Sequence, residues 1–145
     1  MPIKTQHLGP GSLTLGSGPL AVEGQITNCR VEWAEAVTTG TAIPVLSGEE
    51  LAASERVDHT ATLAGGLLQD WAAAGVVDWS WLNKGTPQPF VFIPSTAAGR
   101  KVSGVCFPIP ITIGGDVTGT ADNRGEPARA DFAWRCQGDP VLGAV

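Results

Sequence analysis

The stretch at 102–119, VSGVCFPIPITIGGDVTG, constrains the fold of this chain more than any other. Pro108 and Pro110 stand inside it and cannot donate hydrogen bonds to a neighbouring strand. Around them the residues alternate with a two-residue period, which is typical of a β-strand with one apolar face. The sequence therefore predicts a long, half-buried strand that lies at a sheet edge or contains a bulge, and that Gly114-Gly115 ends. The apolar positions are Val105, Phe107, Ile109, Ile111 and Ile113.

The composition permits a single domain with a hydrophobic core. The chain has 145 residues, 43% of them apolar, which is enough for a core without disulfides or a metal. Its 19 glycines and 11 prolines are spread along the sequence, as expected for many strands joined by turns. No apolar run approaches the roughly 20 residues that cross a bilayer, and the N-terminus lacks the apolar block of a signal peptide. We therefore expect no membrane-spanning segment, and a protein that stays in the cytosol or assembles from it.

The first 20 residues differ from the rest of the chain. They are rich in glycine and proline and have isolated aliphatic side chains at Ile3, Leu8, Leu13 and Leu15. Such a segment gains little by folding on itself but can become ordered against a neighbouring molecule. We predict an extended N-terminal arm at 1–20, with these four side chains as candidate contacts between subunits, and a single domain at 21–145.

Alternating apolar residues indicate further strands. The segment 21–39 is expected to form one or two strands with a bulge near Asn28, because the parity of the apolar residues changes there. Shorter strands are expected at 41–46, 59–63, 90–93 and 130–136. Gly65-Gly66 is expected to end the 59–63 strand, and Gly138-Asp139-Pro140 to close the last one. The segment 49–57 is predicted to form a helical turn or an irregular loop.

One helix is expected, at 67–82, because apolar side chains there fall near a 3.6-residue spacing. Gly75 weakens this helix, and Asn83-Lys84-Gly85 is a stop signal. Seven or eight strands and one helix predict a mainly β fold, a sandwich or barrel with the helix packed on it. The candidate core and helix-packing residues are Trp71, Trp79, Trp81, Val105, Phe107, Ile109, Ile111, Ile113, Phe132 and Trp134.

The sequence contains no arrangement typical of catalysis or metal binding. There is no Gly-x-Ser-x-Gly turn, and the only histidines are His7 in the arm and His59 near a strand start. Cys29, Cys106 and Cys136 are odd in number and have no close spacing, which argues against a disulfide framework or a zinc site. We interpret them as small buried side chains within strands. The sequence predicts no enzymatic activity, no cofactor and no metal.

Acidic residues are concentrated in one part of the chain. Residues 21–70 contain eight acids and two bases, whereas residues 71–145 contain six of each. A protein that binds nucleic acid tightly would be expected to show the reverse. The acidic segment is interpreted either as a solvated surface that aids solubility or as a surface that repels phosphate groups.

Several short runs in the second half of the chain resemble a known family. Their order and spacing, over about residues 20–140, are similar to those of the major tail subunits, or tail tube proteins, of bacteriophages with long non-contractile tails. The resemblance is especially to such proteins from actinobacterial hosts, and the Ala-, Gly- and Trp-rich composition is typical of a high-GC genome. The runs are Leu68-Gln69-Asp70-Trp71, Trp79-Ser80-Trp81-Leu82-Asn83, Phe90-Val91-Phe92-Ile93-Pro94, Val102-Ser103-Gly104-Val105, Ile113-Gly114-Gly115-Asp116-Val117, Phe132-Ala133-Trp134-Arg135-Cys136 and Gly138-Asp139-Pro140.

This resemblance implies both the fold and the function. The implied fold is a β-sandwich or barrel flanked by a helix, similar to the tube proteins of contractile phage tails and of the type VI secretion system. The subunits would close into hexameric rings whose inner sheets join edge to edge. The rings would stack on the tape measure protein, contact other tail proteins, and carry phage DNA from head to host without binding it specifically. The protein would belong to the virion tail and would be assembled in the host cytoplasm.

A net-negative channel wall would let DNA slide, because it offers no partner to phosphate groups. Glu23, Glu32 and Glu35 are the candidate channel-facing acids, since they lie in the predicted strand region. Two alternatives stay open. One is a capsid decoration or head–tail joining protein, which shares a small β-rich fold and an acidic surface. The other, more remote, is a carbohydrate-binding β-sandwich that uses exposed tryptophans.

Overall fold

The computed structural model describes residues 6–51, 54–123 and 125–145, and most of its regular structure is antiparallel strand. Seven strands form one sheet in the order β2-β1-β7-β8-β9-β6-β3, and β4 and β5 pair with each other separately. The strands are β1 (Ser12–Leu15), β2 (Leu20–Ala21), β3 (Ile26–Thr39), β4 (Ile43–Pro44), β5 (Glu50–Leu51), β6 (Glu55–Leu68), β7 (Gln88–Ile93), β8 (Arg100–Cys106) and β9 (Arg129–Ala144). The α-helix is α1 (Val76–Leu82), and a 3₁₀ helix spans Thr96–Ala98.

β9 belongs to both halves of the large sheet. Its first part pairs with β6, ending at Thr62↔Arg135, and its second part pairs with β8, starting at Cys106↔Cys136. The first half of the sheet, which we call the β6 half, thus contains β3, β6 and the start of β9. The β8 half contains the rest of β9 with β8, β7, β1 and β2.

The buried side chains of the two halves form one core. Val76 and Val77 of α1 are buried in the same cluster, and the ring of Phe132 lies 4.8 Å from that of Trp134. Burial of each large apolar side chain stabilises the fold by about 1.5–3 kcal/mol. The prediction of a mainly β fold with one flanking helix is confirmed. The large side chains that are at most 2% exposed include Leu13, Leu15, Leu63, Leu67, Phe90, Ile111 and Trp134.

β1 lies within the sheet and is not part of an extended arm. It pairs with β7 along its whole length, and both Leu13 and Leu15 are buried in this chain's own core. The prediction that these two side chains contact another subunit is therefore wrong. Their alternation with polar residues is that of a strand with one buried face. Leu8 is exposed, and Ile3 lies outside the described residues.

The strand predicted to continue to residue 113 ends earlier. β8 stops at Cys106, and residues 107–119 are not in a strand. β8 also lies between β7 and β9, so it is not an edge strand. The chain leaves the ladder where Pro108 and Pro110 would remove hydrogen-bond donors from it. The prolines therefore end the strand instead of marking an edge.

The apolar face predicted for this stretch is only partly buried. Ile111 belongs to the core, whereas Ile109 and Ile113 are 58% and 56% exposed. Val105 and Phe107 are half-buried. The prediction of Ile109 and Ile113 as core residues is wrong, because alternate residues share a face only while the backbone stays pleated.

Phe107 still donates its N–H to the carbonyl of Arg135, and beyond it side chains of neighbouring elements hold much of the segment up to residue 113. The hydroxyl of the buried Ser80 accepts a hydrogen bond from the backbone N–H of Ile111 at 3.1 Å. The indole N–H of Trp81 donates to the carbonyl of Ile111 at 2.9 Å, and that of Trp134 donates to the carbonyl of Ile109 at 3.0 Å. These bonds satisfy backbone groups that a strand would have paired with its neighbour.

β3 and β6 form a long hairpin with a bulge at its base. The register shifts between Ile26 and Asn28, so the bulge predicted near Asn28 is confirmed. Gly65 and Gly66 lie inside β6 and do not end it. A Cβ atom on Gly65 would lie 2.2 Å from the carbonyl oxygen of Asn28. Glycine is needed there because two backbones approach closely, which is a different role from a turn.

The helix is shorter than predicted. α1 begins at Val76, because residues 67–68 still belong to β6 and Gly75 takes the N-cap position in an extended conformation. Its end is as expected, with Asn83 as the C-cap. Only Val76, Val77 and Ser80 of the helix are buried.

Two other boundaries differ from the prediction. The segment 49–57 contains β5 and the start of β6, in place of a helical turn or irregular loop. β9 continues past Gly138 and Pro140 to Ala144, and the register with β8 shifts between Ser103 and Val105. The Gly-Asp-Pro sequence is thus accommodated as an irregularity within a strand.

Candidate assembly surfaces

The distal part of the β3–β6 hairpin extends beyond the core. Every residue of β3 from Glu32 onwards is exposed, and so are residues 55–57 of β6. The large apolar side chains of this region are Trp33, Val37 and Val57, which are 51%, 52% and 47% exposed. We call these three residues the hairpin surface. Because a two-stranded ribbon is only marginally stable in water by itself, exposed apolar groups on it point to a contact with another molecule.

The hairpin surface continues the core-facing side of the sheet. Trp33 lies opposite Ala61, and Val37 lies opposite Val57. Ala61 is buried in the core, and opposed residues of two antiparallel strands project to the same face. The apolar face of the β6 half therefore runs out of the core along the hairpin.

The opposite side of the β6 half is polar, and we call it the polar face. Its charged residues are four arginines and three acids. Arg30 forms an ion pair with Glu32, and Arg56 pairs with Asp58 at 3.0 Å. This face is therefore nearly balanced in charge. Its charged residues are Arg30, Glu32, Arg56, Asp58, Arg129, Asp131 and Arg135.

The connection between β3 and β6 carries a further cluster of exposed apolar side chains. β4 and β5 pair there as a short hairpin, closed by a turn in which the N–H of Val45 donates to the carbonyl of Glu49 at 2.9 Å. Leu46 at this turn is fully exposed. We call Ile43, Val45, Leu46 and Leu51 the hairpin tip.

A separate apolar patch surrounds α1, and we call Trp71, Trp81, Leu82 and Ile113 the helix surface. Trp71 is 62% exposed and Trp81 is 53% exposed, so the prediction of these two tryptophans as core residues is wrong. Trp71 precedes the helix, and Trp81 lies on its outer side. Trp79, by contrast, packs against the core with its ring 5.9 Å from that of Trp134.

An open groove lies at one end of the core. It has a volume of about 360 Å³ and is bounded by residues 8–13, 23–24, 26–29 and 92–94. Its apolar walls include Leu8, Ile26 and Phe92. Leu8 of the predicted arm therefore lines a groove of its own chain.

The outer edge of β3 is also available for contacts. β3 is the last strand of the seven-stranded sheet, and among the described residues it pairs only with β6. An edge strand of 14 residues presents a row of backbone donors and acceptors that a further strand can pair with. The edges of this sheet are thus β3 and the two-residue β2, and the proline-containing segment is not one of them.

The three predicted channel-facing acids do not share a face. Glu32 lies on the polar face. Glu35 lies on the apolar face, where its Oε2 is 3.9 Å from Nε2 of His59. Glu23 lies outside the strands, in the turn before β3, and lines the groove. A single wall can therefore contain Glu32 or Glu35 but not both.

All three cysteine side chains are buried, and none of them forms a disulfide. Burial raises the pKa of the thiols of Cys29 and Cys106 to about 12, and it also raises the pKa of Cys136. The interpretation of the cysteines as small buried side chains is confirmed. Within residues 6–51, 54–123 and 125–145, no three His, Cys, Asp or Glu side chains are placed to hold a metal ion. In the same ranges, no helix has the length and hydrophobicity needed to cross a membrane.

The fold is similar to that of chains from a gene transfer agent. A chain from the virion of a native gene transfer agent particle matches with a TM-score of 0.52 at 15% identity, and the match covers 92% of this chain and 95% of that one. A chain from the tail of an empty gene transfer agent particle, refined with C6 symmetry, matches with a TM-score of 0.52 at 16% identity. That match covers 91% of this chain and 96% of that one. No protein-family model and no curated protein matches the sequence.

The hairpin surface was not predicted from the sequence, although part of its signal is present there. Val31 and Trp33 follow Cys29 at alternate positions, which is the pattern of one strand face. Only residues 59–63 of the other strand were predicted, because a helical turn or an irregular loop was expected at 49–57. Only the pairing of Val37 with Val57 brings the two strands into one apolar surface.

Proposed function

We propose that this protein is a structural subunit of a phage-like tail, and that copies of it form the tail tube. The main support is the likeness, over 91% of this chain, to a chain in a tail of C6 symmetry. The apolar surfaces left exposed by the fold add to it. A soluble monomer rarely exposes several apolar patches of this kind.

The free edge of β3 is proposed to join neighbouring subunits within a ring. Backbone pairing across such an edge extends a sheet from one subunit to the next, and closure of the ring leaves no edge exposed. Hexameric rings are proposed, in keeping with the symmetry of the similar tail. The polar face, which includes Glu32, would then line the channel, because its exposed side chains are charged, polar or small.

The hairpin surface and the hairpin tip are proposed to contact a copy in the next ring. They lie on a ribbon that extends beyond the core and carry the apolar side chains of that ribbon. Burial of Trp33, Val37 and Leu46 against a neighbour would remove from water the apolar area that the fold leaves exposed.

The other partners follow from a tube of this kind. The channel would hold the tape measure protein during assembly and pass DNA without binding it specifically. The subunit would contact other tail proteins at the tube ends, assemble in the cytoplasm of the host, which we propose to be an actinobacterium, and act in the virion tail.

Electron microscopy tests the proposal. Concentrated protein is expected to form rings or tubes in negative stain, and a reconstruction of the particle is expected to place the chain in the tail. Val37→Lys should abolish rings and tubes, because a charge on the hairpin surface would have to be buried. Ala36→Lys is the matched control, since residue 36 lies on the opposite face of the same strand beside Asp58.

A reconstruction that places the chain on the capsid surface or at the head–tail joint would overturn the proposal in favour of the decoration or joining protein. Trp71 and Trp81 allow the carbohydrate alternative to be tested in parallel, because both indoles are exposed. A change in tryptophan fluorescence with a glycan, abolished by Trp71→Ala, would support that alternative.

A further inference from the structure

Two buried cysteines face each other across the β8–β9 ladder. Cys106 ends β8, and its register partner in β9 is Cys136. Cys106 is completely buried and Cys136 is 6% exposed, and both belong to the core cluster. Opposed residues in adjacent antiparallel strands project to the same face, so the two thiols lie on the same side of the sheet.

The hydrogen bonding around this pair favours a short distance between the two residues. The N–H of Phe107 donates to the carbonyl of Arg135 at 2.9 Å, so the neighbouring Phe107–Arg135 position carries the ladder hydrogen bond. Bonded and non-bonded positions alternate in an antiparallel pair, which makes Cys106–Cys136 a non-bonded position. The Cα atoms at such positions are about 4.5 Å apart, within the range of about 4.4–6.8 Å that disulfides span.

We propose that Cys106 and Cys136 are a redox modification site, at which a small peroxide converts the two thiols into an intrachain disulfide. The proposal is independent of the function proposed above. In the first step a thiol sulfur, that of Cys136 because it is the more exposed, attacks one oxygen of hydrogen peroxide. The O–O bond breaks, water leaves, and a sulfenic acid forms.

In the second step the sulfur of Cys106 attacks the sulfenic sulfur. The S–O bond breaks, the S–S bond forms, and the thiol proton leaves with the hydroxyl group as a second water. The two thiols together lose two electrons and two protons, and one molecule of peroxide is reduced to two molecules of water. Burial raises the pKa of both thiols, so the first step is slow and the site responds to sustained oxidation.

Cys29 provides an internal control. It is buried like the other two cysteines, but its register partner is Gly65, which in turn lies opposite Phe132 of β9. Cys29 is thus displaced from Cys136 by about 13 Å along the strand direction. It is also displaced by two strand spacings, about 10 Å, across the sheet. In the folded protein it has no cysteine within reach.

The test uses the full chain, treated with hydrogen peroxide under native conditions and then alkylated and digested for mass spectrometry. The expected result is one cross-linked species in which a disulfide joins the peptides that contain Cys106 and Cys136. Its mass should be the sum of the two reduced peptides less two hydrogen atoms. Thiol titration in denaturant should then find one of the three thiols, that of Cys29, still free. The same treatment in urea should give mixed pairings that include Cys29.

Variants separate this proposal from general oxidation. In the Cys29→Ala variant, peroxide should still oxidise the two remaining thiols to a disulfide under native conditions. The Cys106→Ala variant should form no intrachain disulfide. The oxidised protein should unfold at a higher temperature than the reduced protein, and dithiothreitol should reverse the shift. Three free thiols after native oxidation, a cross-link that involves Cys29, or a cross-link between chains would each overturn the proposal.

Discussion

Gly65 shows how a single residue lets two strands pair closely. It lies in the middle of β6, where the bulge of β3 brings the carbonyl of Asn28 towards it. No other residue fits, because every other side chain begins with a Cβ atom. The spacing of glycines in the sequence indicated a turn at this point, and the actual reason lies in a contact with a residue 37 positions earlier in the chain.

Replacement of Gly65 should therefore be costly. We expect Gly65→Ala to lower the free energy of unfolding by at least about 2 kcal/mol, because the new methyl group would overlap the Asn28 carbonyl and force the two strands apart. Gly24→Ala is the control: nothing lies within 4 Å of a Cβ at that position, and its φ is not positive, so the change should stay within about 0.5 kcal/mol. Urea unfolding followed by tryptophan fluorescence measures both. Equal stabilities for the two variants would contradict the close approach.

The buried thiols predict sensitivity to alkali. Cys29 and Cys106 have a pKa of about 12 in the folded state, whereas an unfolded thiol has about 8.5. The pKa is raised on folding, so these groups stabilise the fold fully below about pH 8.5, and their contribution is lost as the pH rises towards 12. The chain has no tyrosine whose titration would mask this effect.

We expect the free energy of unfolding, measured in urea with a reductant present, to fall between about pH 9 and pH 11 by about 1 kcal/mol per pH unit for each of these two thiols. Cys29→Ala should make this slope shallower by about that amount, whatever it costs at neutral pH. Ser17→Ala, on an exposed turn, should leave the slope unchanged. An identical slope in the Cys29 variant would show that its thiol ionises as easily in the folded state as in the unfolded one.

At the scale of the elements, the segment 108–114 is held largely by side chains instead of strand pairing. Gln69 exchanges hydrogen bonds of 2.8 and 2.9 Å with the backbone of Gly114, in addition to the bonds made by Ser80, Trp81 and Trp134. These residues come from different parts of the chain, before, within and after α1. The segment therefore links the helix to β9.

Ser80 is the central contact of this arrangement. Its hydroxyl donates to the carbonyl of Val77 at 2.7 Å and accepts from the N–H of Ile111. Ser80→Ala should leave that buried N–H without an acceptor and lower the free energy of unfolding by about 1–3 kcal/mol. Hydrogen exchange at the Ile111 amide should also become faster. Unchanged exchange there would mean that another group, such as water, satisfies the amide.

The elements also show what could be predicted from the sequence. The bulge at Asn28, the strand at 90–93 and the helix stop at Asn83 depend on local patterns, and each of these predictions is confirmed. The prediction of a strand at 105–113 was wrong beyond Cys106. Alternation of apolar residues does not reveal whether the backbone has a partner strand, and the two prolines lack the N–H groups that would pair with one. The helix start was wrong because Leu67 and Leu68 fit a helical spacing and a strand equally well.

The assembly surfaces were harder to predict than the fold. Exposure of Trp81 depends on which side of α1 packs against the core, and exposure of Trp71 depends on where the helix begins. Exposure of Trp33 depends on how far the β3–β6 hairpin extends beyond the core. Neither property is local in the sequence. The actinobacterial host and the channel-facing role of the acids remain predictions.

At the scale of the whole molecule, the charge of the sheet faces differs from that of the acidic segment. Residues 21–70 carry a large excess of acids, but the polar face combines part of that segment with arginines of β9. Several of the acids lie elsewhere, on the apolar face or near the hairpin tip. A channel lined by the polar face would thus have little net charge, and ion pairs would engage two of its four arginines, Arg30 and Arg56.

Two substitutions at acids of β3 separate the roles of its faces. In particles that carry the variant subunit, Glu32→Lys should allow normal tails but slow DNA ejection several-fold, because each copy would add cations to the channel wall. Glu35→Lys should reduce the yield of tails, because it would place a cation beside the hairpin surface. Electron microscopy counts the tails, and light scattering or dye fluorescence follows ejection. Normal tails with slow ejection in the Glu35 variant would instead place the apolar face towards the channel.

The continuity of β9 also limits how the subunit can be divided or re-engineered. If the chain were cut in the middle of β9, for a circular permutant or a split protein, the β6 half and the β8 half of the sheet would no longer be joined by one strand. Neither part of β9 would then complete the shared hydrophobic core. An opening at 120–122, on an exposed stretch outside every ladder, would interrupt no strand. Foreign peptides are therefore best inserted there, and recombination with related chains should be tolerated there more readily than within the last strand.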